Sequence, residues 1–237
     1  MGKTQFDFSG QTAIVTGSAT GIAQTAAERF AEAGAHVFLV DINEEGGAAA
    51  AEKIRTNGGK AEFVACNVTN SSSVEKTFSH VLTATGRIDI LVNSAGGWTK
   101  QQSVAETPEE EWDHIINLNL KSVFLCSKAA TPTFLTQKSG RIINMGSMGG
   151  LTASKSNSSP PYGVAKAVNA LAPGTTATAR VIAARSDEQR GQIGKSTIIG
   201  RIAEVDDIVG WILFLASPEA GYLMGQTITV NGGRLMV

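Results

Sequence analysis

Tyr162 and Lys166 stand four residues apart in the stretch "YGVAK". On a helix that spacing puts two side chains on one face, with Cβ atoms about 5–6 Å apart. An unperturbed phenol, with a pKa near ~10, is a poor base at neutral pH. A neighbouring ammonium favours the phenolate and is expected to lower that value. Such a pair suits the exchange of a hydroxyl proton while a hydride moves to or from a nicotinamide, the lysine also being able to donate to ribose hydroxyls. Ser147 follows the apolar run "RIIN" and can donate to a substrate oxygen as a carbonyl becomes an alkoxide. Hydrolysis is disfavoured: Met145 occupies the first glycine position of a Gly-x-Ser-x-Gly elbow, and no histidine follows Ser147 in the chain. His36, His80 and His114 are scattered without ligand spacing, so no metal site is expected.

A second group reads as a nucleotide site. In "VTGSATGIA" a β-branched run turns into a helical pattern through Gly17 and Gly21, so backbone N–H groups face a phosphate at the helix N-terminus. Asp41 ends the next apolar run, within the loose spacing of a carboxylate that accepts from a ribose 2′-hydroxyl. A carboxylate there repels a 2′-phosphate, and Ser18, Ala19, Thr20 and Ile42 supply no compensating cation, which favours NAD over NADP. "GQIGKST" is a near miss to a phosphate-binding loop. It has Gln189 where the first glycine belongs, and no strand precedes it.

These groups need a scaffold that brings them together. Strand-like runs "QTAIVTG", "HVFLVD", "AEFVACNV", "RIDILVNSAGG", "RIINMGS" and "GQTITVNGG" alternate with helical patterns. Alternation of this kind predicts an α/β fold, a doubly wound parallel sheet with helices on both faces, with ligands beyond the carboxyl ends of the strands. Residues 1–237 read as one domain, and near-cancelling charge with no basic or acidic block gives no footprint for nucleic acid or membrane. No apolar run is long enough to span a bilayer, and a cytoplasmic protein with a small-molecule partner is expected. Gly2 in "MGKTQF" lacks the downstream Ser or Thr of a myristoylation signal. Cys66 and Cys126 read as two buried thiols. Thr107, Pro108 and Glu110 read as a capped helix start, and Trp112 and Trp211 as core. Trp98 either lines the cleft or anchors the surface.

Together "TAIVTGSATGIA", "RIDILVNSAGG", "NLNLKSVFLCSKAA", "RIINMGS", "YGVAK", "APGTTAT" and "GQTITVNGG" span nearly the whole chain and resemble the short-chain dehydrogenase/reductase family. The resemblance implies a Rossmann-like fold, a homodimer or homotetramer, and an NAD(H)-dependent interconversion of a secondary alcohol and a ketone. It implies a catalytic tetrad of Asn119, Ser147, Tyr162 and Lys166, with Asn119 supporting a water that links Lys166 to a proton relay. It carries cofactor contacts onto Gly17, Ser18, Thr20, Gly21 and Ile22, then Asp41 and Ile42, Asn67 and Val68, and Asn93, Ala95 and Gly96. Tyr162 and Lys166 join them, with Pro173, Gly174, Thr176 and Thr178. Three positions depart from the family pattern: Ala23 replaces a glycine, Asn67 an acid, and Ser94 the second asparagine of "NNAG".

A larger departure follows Lys166. In the family the lysine is succeeded by the rest of a long helix and a strand before the Pro-Gly pair, yet here only "AVNALA" intervenes. As helix that stretch spans ~9 Å, and a parallel crossover needs about a dozen residues or more. About 15–25 residues are thus missing between Lys166 and Asn169 relative to the family. A true deletion would remove an interior strand and the face of a covering helix, at a cost comparable to a domain's net ~5–15 kcal/mol. The expectation is therefore that the molecule contains a segment absent from these 237 residues, and an intact mass equal to 24.7 kDa would refute it. The rival reading is a shortened protein that binds NAD without turnover, as a scaffold.

Overall fold

A computed structural model describes residues 6–100, 102–151, 160–166, 171–223 and 226–235. Gly2 and the junction at 167–170 lie outside the described residues. The first strand, β1 (Thr12–Thr16), is buried throughout. It leads into α1 (Gly21–Glu32), β2 (His36–Asp41), α2 (Glu44–Thr56), β3 (Lys60–Ala65), α3 (Ser71–Thr85) and β4 (Ile90–Asn93). After α4 (Glu109–Ile116), a π-helical turn at Asn117–Lys121 runs directly into α5 (Ser122–Gln137), followed by β5 (Arg141–Asn144).

All pairings in the main sheet are parallel, in the order β3-β2-β1-β4-β5. Beyond β5 come α6 (Pro160–Lys166) and β6 (Leu171–Pro173), which pairs in parallel with β7 (Ile228–Val230). A parallel bridge from Met145 to Leu171 and a 2.6 Å bond from Gly146 N–H to Leu171 O continue the sheet from β5 to β6. Order reverses between β1 and β4, where a doubly wound sheet opens its ligand crevice.

Alternation along the strands decides which helix covers which face. Ala13, Val15, Val37, Leu39, Ile90 and Val92 pack on the side of α1, α2 and a last long helix, α9 (Val205–Ala216). Ile14, Phe38, Val40 and Leu91 point the other way, toward α3 and α5. Cys66 and Cys126 are buried free thiols on that side, and burial pushes the Cys126 thiol up to about 12, leaving it unreactive.

Several expectations are corrected. The capping box lies at Ser103 and Glu106, one turn before α4. Ser103 Oγ and N–H both donate to the Glu106 carboxylate, while Thr107 Oγ1 donates back to Ser103 O and Pro108 becomes the uncapped N-cap of α4. Trp112 is 38% exposed and Trp211 41% exposed. The buried stripe of α9 is Ile208, Val209, Ile212 and Ala216, which leaves Trp211 outside the core, edge-on to Phe214. Between Thr175 and Thr197 the chain forms α7 (Ala179–Ala184) and α8 (Asp187–Lys195). "GQIGKST" lies at the end of α8 and the turn after it, unsuited to a phosphate loop.

The shortened segment keeps its strand: three residues of β6 fill the interior position whose loss was expected. What is reduced is the room for the helix, since only four residues separate Lys166, the last described residue of α6, from the start of β6 at Leu171. Leu91 in β4 is fully buried, whereas its register partner Ile142 in β5, on the same face, stays 38% exposed.

Candidate active site

The turn from β1 to α1 is held against the loop after β4. Thr16 Oγ1 accepts from the N–H groups of Ser94 and Ala95 at 3.0 and 3.1 Å. Gly17 has a left-handed φ of 71°, and a Cβ there would meet Ala95 Cα at 2.7 Å. Gly17 N–H donates to Val40 O, and Ser18 is fully buried with its hydroxyl on the same carbonyl. α2 and α3 are capped by the side chains of Asn43 and Asn70, but α1 starts at exposed Thr20 with neither a side-chain cap nor an acidic residue in its first turn. A bare, close-packed helix start of this kind fits an anion. Ala23 is buried against the sheet, so the departure from glycine is accommodated.

Around this turn, Asp41 accepts from Ala19 N–H and Asn43 N–H, each at 2.9 Å, one bond per carboxylate oxygen. Ile42 beside it is 72% exposed. Asn67 is exposed, its Oδ1 taken by Thr69, while Val68 packs into the core. Asn93 turns away from the crevice: its amide donates to Asn144 Oδ1 and Ser127 Oγ. Ile22, in the first turn of α1, packs against the core. Pro173 is buried at the end of β6, Gly174 touches Asn231 backbone, and Thr176 is buried with its hydroxyl on Gly174 O. Thr178 caps α7 and its methyl lies 3.5 Å from where a Cβ on Gly21 would stand, so α7 begins across the groove from α1.

The second group converges beside the same groove. Asn119, fully buried in the π turn, clamps Gly97: its Nδ2 donates to Gly97 O (2.8 Å) and Ile115 O (2.9 Å), and its Oδ1 accepts from Gly97 N–H (2.9 Å). Inserting a residue into a helix in this way re-aims one side chain, a device common at functional sites. A Cβ on Gly96 would sit 2.6 Å from Asn119 Oδ1 and 3.2 Å from Lys166 Nζ, so only glycine lets the two approach. Lys166 is buried, and its Nζ donates to Met145 O at 2.7 Å. Ser147 accepts from Gly149 N–H at 3.1 Å and shares a hydrogen bond with the Tyr162 phenol.

The electrostatics differ from the simple expectation that Lys166 lowers the Tyr162 pKa. Burial dominates and raises the phenol; the Ser147 hydrogen bond and the charge of Arg180 act in the opposite direction without overcoming it. Lys166 lies 6.0 Å from the ring centroid, and burial lowers its own pKa to about 8 from 10.5. Between those two values the unfolded chain holds a proton that the folded protein has released. Folding stability therefore rises with pH across that interval. The raised Tyr162 works the other way above about pH 10, where the folded form keeps a proton that the unfolded chain loses. Thermal midpoints measured from about pH 7 to about pH 9, below the range in which the raised Cys126 thiol acts in the opposite direction, are expected to climb in the wild type and to stay nearly level in Lys166→Met.

Two neighbours complete the site. Trp98, left open between cleft and surface, packs against Tyr162 with ring centroids 5.6 Å apart. Arg180, on α7, lays its guanidinium over the Trp98 ring at 4.8 Å and donates from Nη2 to Trp98 O at 2.6 Å. Sequence reasoning missed Arg180, since an exposed arginine in a polar stretch reads as solvated. Among the described residues, no group of three His, Cys, Asp or Glu is placed to hold a metal, and no helix is long and apolar enough to cross a membrane.

Residues 11–175 match the family model described as short chain dehydrogenase. The chain belongs to the short-chain dehydrogenase/reductase family. A second model, described as Enoyl-(Acyl carrier protein) reductase, matches residues 167–234 of the chain, so the two models overlap across the junction at 167–175. Among curated relatives, 3-oxoacyl-acyl-carrier-protein reductase FabG of Vibrio harveyi is 36% identical over 247 residues, covering 96% of this chain and 98% of the relative. Short-chain reductase protein NovJ of Streptomyces niveus is 34% identical, with 94% and 93% covered. The alignment to the Vibrio protein, at 247 positions, is longer than this 237-residue chain and so opens gaps in it. Among solved structures, gox2181 superposes with a TM-score of 0.91 at 28% identity, with 96% of each chain covered. A putative NAD(P) dependent gluconate 5-dehydrogenase from Beutenbergia cavernae, with bound NADP, gives 0.88 at 32% identity, with 97% of this chain and 98% of that one covered.

Proposed function

We propose that this short-chain dehydrogenase is an NAD(H)-dependent oxidoreductase that interconverts a secondary alcohol and a ketone, with Tyr162 as acid and base. The observation that carries the reading is the Ser147–Tyr162 hydrogen bond beside buried Lys166, at the carboxyl ends of the parallel strands. When bound, the nicotinamide supplies or accepts the hydride. The chain's own part is to hold a proton at the Tyr162 oxygen and deliver it to, or take it from, the reacting oxygen. Ser147 donates to that same oxygen and steadies its developing charge. Lys166, fixed by Met145 O, sets a positive charge beneath the phenol. Asn119 acts one step back by fixing the Gly96–Gly97 backbone that walls the lysine in.

Gly17, Ser18, Thr20, Gly21 and Ile22 would hold the pyrophosphate side of the dinucleotide. Asp41 and Ile42 would hold the adenosine ribose, with Asn67 and Val68 beside the adenine. The loop of Asn93, Ala95 and Gly96, with Pro173, Gly174, Thr176 and Thr178, would enclose the nicotinamide end. Asp41 supports NAD over NADP: its two oxygens are locked on backbone N–H groups, and no side-chain cation pairs with it among the described residues. A 2′-phosphate would meet an uncompensated carboxylate.

The test is NADH appearance with a panel of polyols, sugars, hydroxy acids and steroids, run with NAD and with NADP. NAD is expected to give a kcat/KM at least ~10-fold higher, a difference of about 1.4 kcal/mol. Equal use of the two cofactors would refute the preference. The short link from Lys166 to β6 favours one alternative, a nucleotide-binding protein without turnover, whose signature is tight NAD binding with no NADH formed from any member of the panel.

A further inference from the structure

Arg180 is exposed at the start of α7, and three contacts fix where its charge stands. Nη2 donates to Trp98 O at 2.6 Å, the guanidinium covers the Trp98 ring at 4.8 Å, and the group presses so closely on Gly97 that a Cβ there would overlap it. Trp98 in turn lies against Tyr162 at 5.6 Å between centroids. The cation is therefore held one ring away from the phenol. Its contact with a backbone carbonyl brings no negative charge. Among the described residues Arg180 has no carboxylate partner, and none of the remaining residues is an Asp or Glu. Arg29, Arg55, Arg87, Arg190 and Arg201 are paired with acids, whereas Arg180 shares its lack of a carboxylate with Arg141, Arg185 and Arg234 and differs from them in its seat on Trp98.

We propose that Arg180 is the substrate-recognition residue of this site, taking the carboxylate of an oxo or hydroxy acid whose carbonyl or hydroxyl reacts at Tyr162. A planar guanidinium presents parallel donors that match a carboxylate. Stacking on Trp98 fixes the plane of that fork and reduces the rotamer freedom lost on binding. The charge of Arg180 is felt at the phenol, which agrees with its nearness to the reacting oxygen. The inference rests on the dehydrogenase reading above, and the experiment separates the two.

Pyruvate, acetoacetate and levulinate are each assayed with NADH against their methyl esters, in wild type, Arg180→Gln and Arg180→Lys. For the best pair, wild type is expected to prefer the acid by ~10–100-fold in kcat/KM, the range of a hydrogen bond to a charged group. Arg180→Gln should collapse that ratio to about one, and Arg180→Lys should restore part of it. An acid/ester ratio unchanged by Arg180→Gln overturns the proposal. So does an equal loss on acid and ester with a displaced pH profile, since Arg180 would then act on Tyr162 instead of the substrate. A second readout needs no turnover: the same acids, titrated against tryptophan emission, with Trp98→Phe identifying the responding ring. If no compound is reduced, quenching by an acid in wild type that is lost in Arg180→Gln still supports the assignment, whereas quenching indifferent to Arg180→Gln sinks it.

Discussion

Tyr162→Phe is expected to lower kcat/KM by ~10²–10⁴-fold, the usual contribution of a positioned acid/base, while NAD affinity stays close to wild type. Phenylalanine keeps the ring that packs on Trp98 and removes only the oxygen bonded to Ser147, so the helix has little reason to move. In the free protein burial holds the proton on this phenol. Alcohol oxidation, which needs the deprotonated form, should therefore speed up as pH rises, and ketone reduction should not. In the variant the residual oxidation rate should lose that rising limb. Steady-state kinetics across pH, with nucleotide binding measured by titration, checks both halves. A Phe variant with full activity would remove Tyr162 from the chemistry.

The second large effect is expected from Gly17→Ala. Its φ of 71° is left-handed, and the added methyl would lie 2.7 Å from Ala95 Cα and 2.8 Å from Ala95 N, both backbone atoms that cannot rotate away. The turn after β1 and the loop after β4 must then separate, widening the groove between them. Strain of this kind costs about 1–3 kcal/mol, or a fall in thermal midpoint of roughly 2–10 °C. Nucleotide binding should weaken by ~10–100-fold, because the N–H groups that face the phosphates move with the turn. Gly10→Ala is the control: Gly10 also has a positive φ, of 76°, but has nothing within 4 Å of its would-be Cβ. It should lose some stability and leave NAD binding intact. Calorimetry and binding titration on the two variants distinguish lost geometry from mere strain.

Much of this arrangement was legible in the sequence because it is local. A buried strand of Thr and Val ending at Gly17, a carboxylate closing the next strand, and a tyrosine and lysine four apart are short-range patterns with direct chemical meaning. What escaped depends on contacts between distant segments. The burial of Tyr162, which reverses the expected direction of its pKa, comes from packing that no spacing reveals. Arg180 acquires its setting from Trp98, 82 residues away in the chain. Trp112 and Trp211 looked like core because tryptophan is apolar, yet narrow buried stripes on their helices leave them half in solvent. The capping box moved to Ser103 because serine and glutamate satisfied each other one turn earlier.

The four-residue link between Lys166 of α6 and β6 carries a thermodynamic implication for ligand affinity. Short helices are marginal in water, and α6, with so little chain before β6, leans on its tertiary contacts, notably Lys166 on Met145 O and Tyr162 on Trp98. Tyr162 and Lys166 are in place only for the fraction of time that these contacts hold. The apparent dissociation constant of any ligand that needs the assembled pair equals the intrinsic constant divided by that fraction. Affinity in this protein is thus coupled to the local folding equilibrium of α6, and a change that stabilised that helix would tighten binding without touching the ligand.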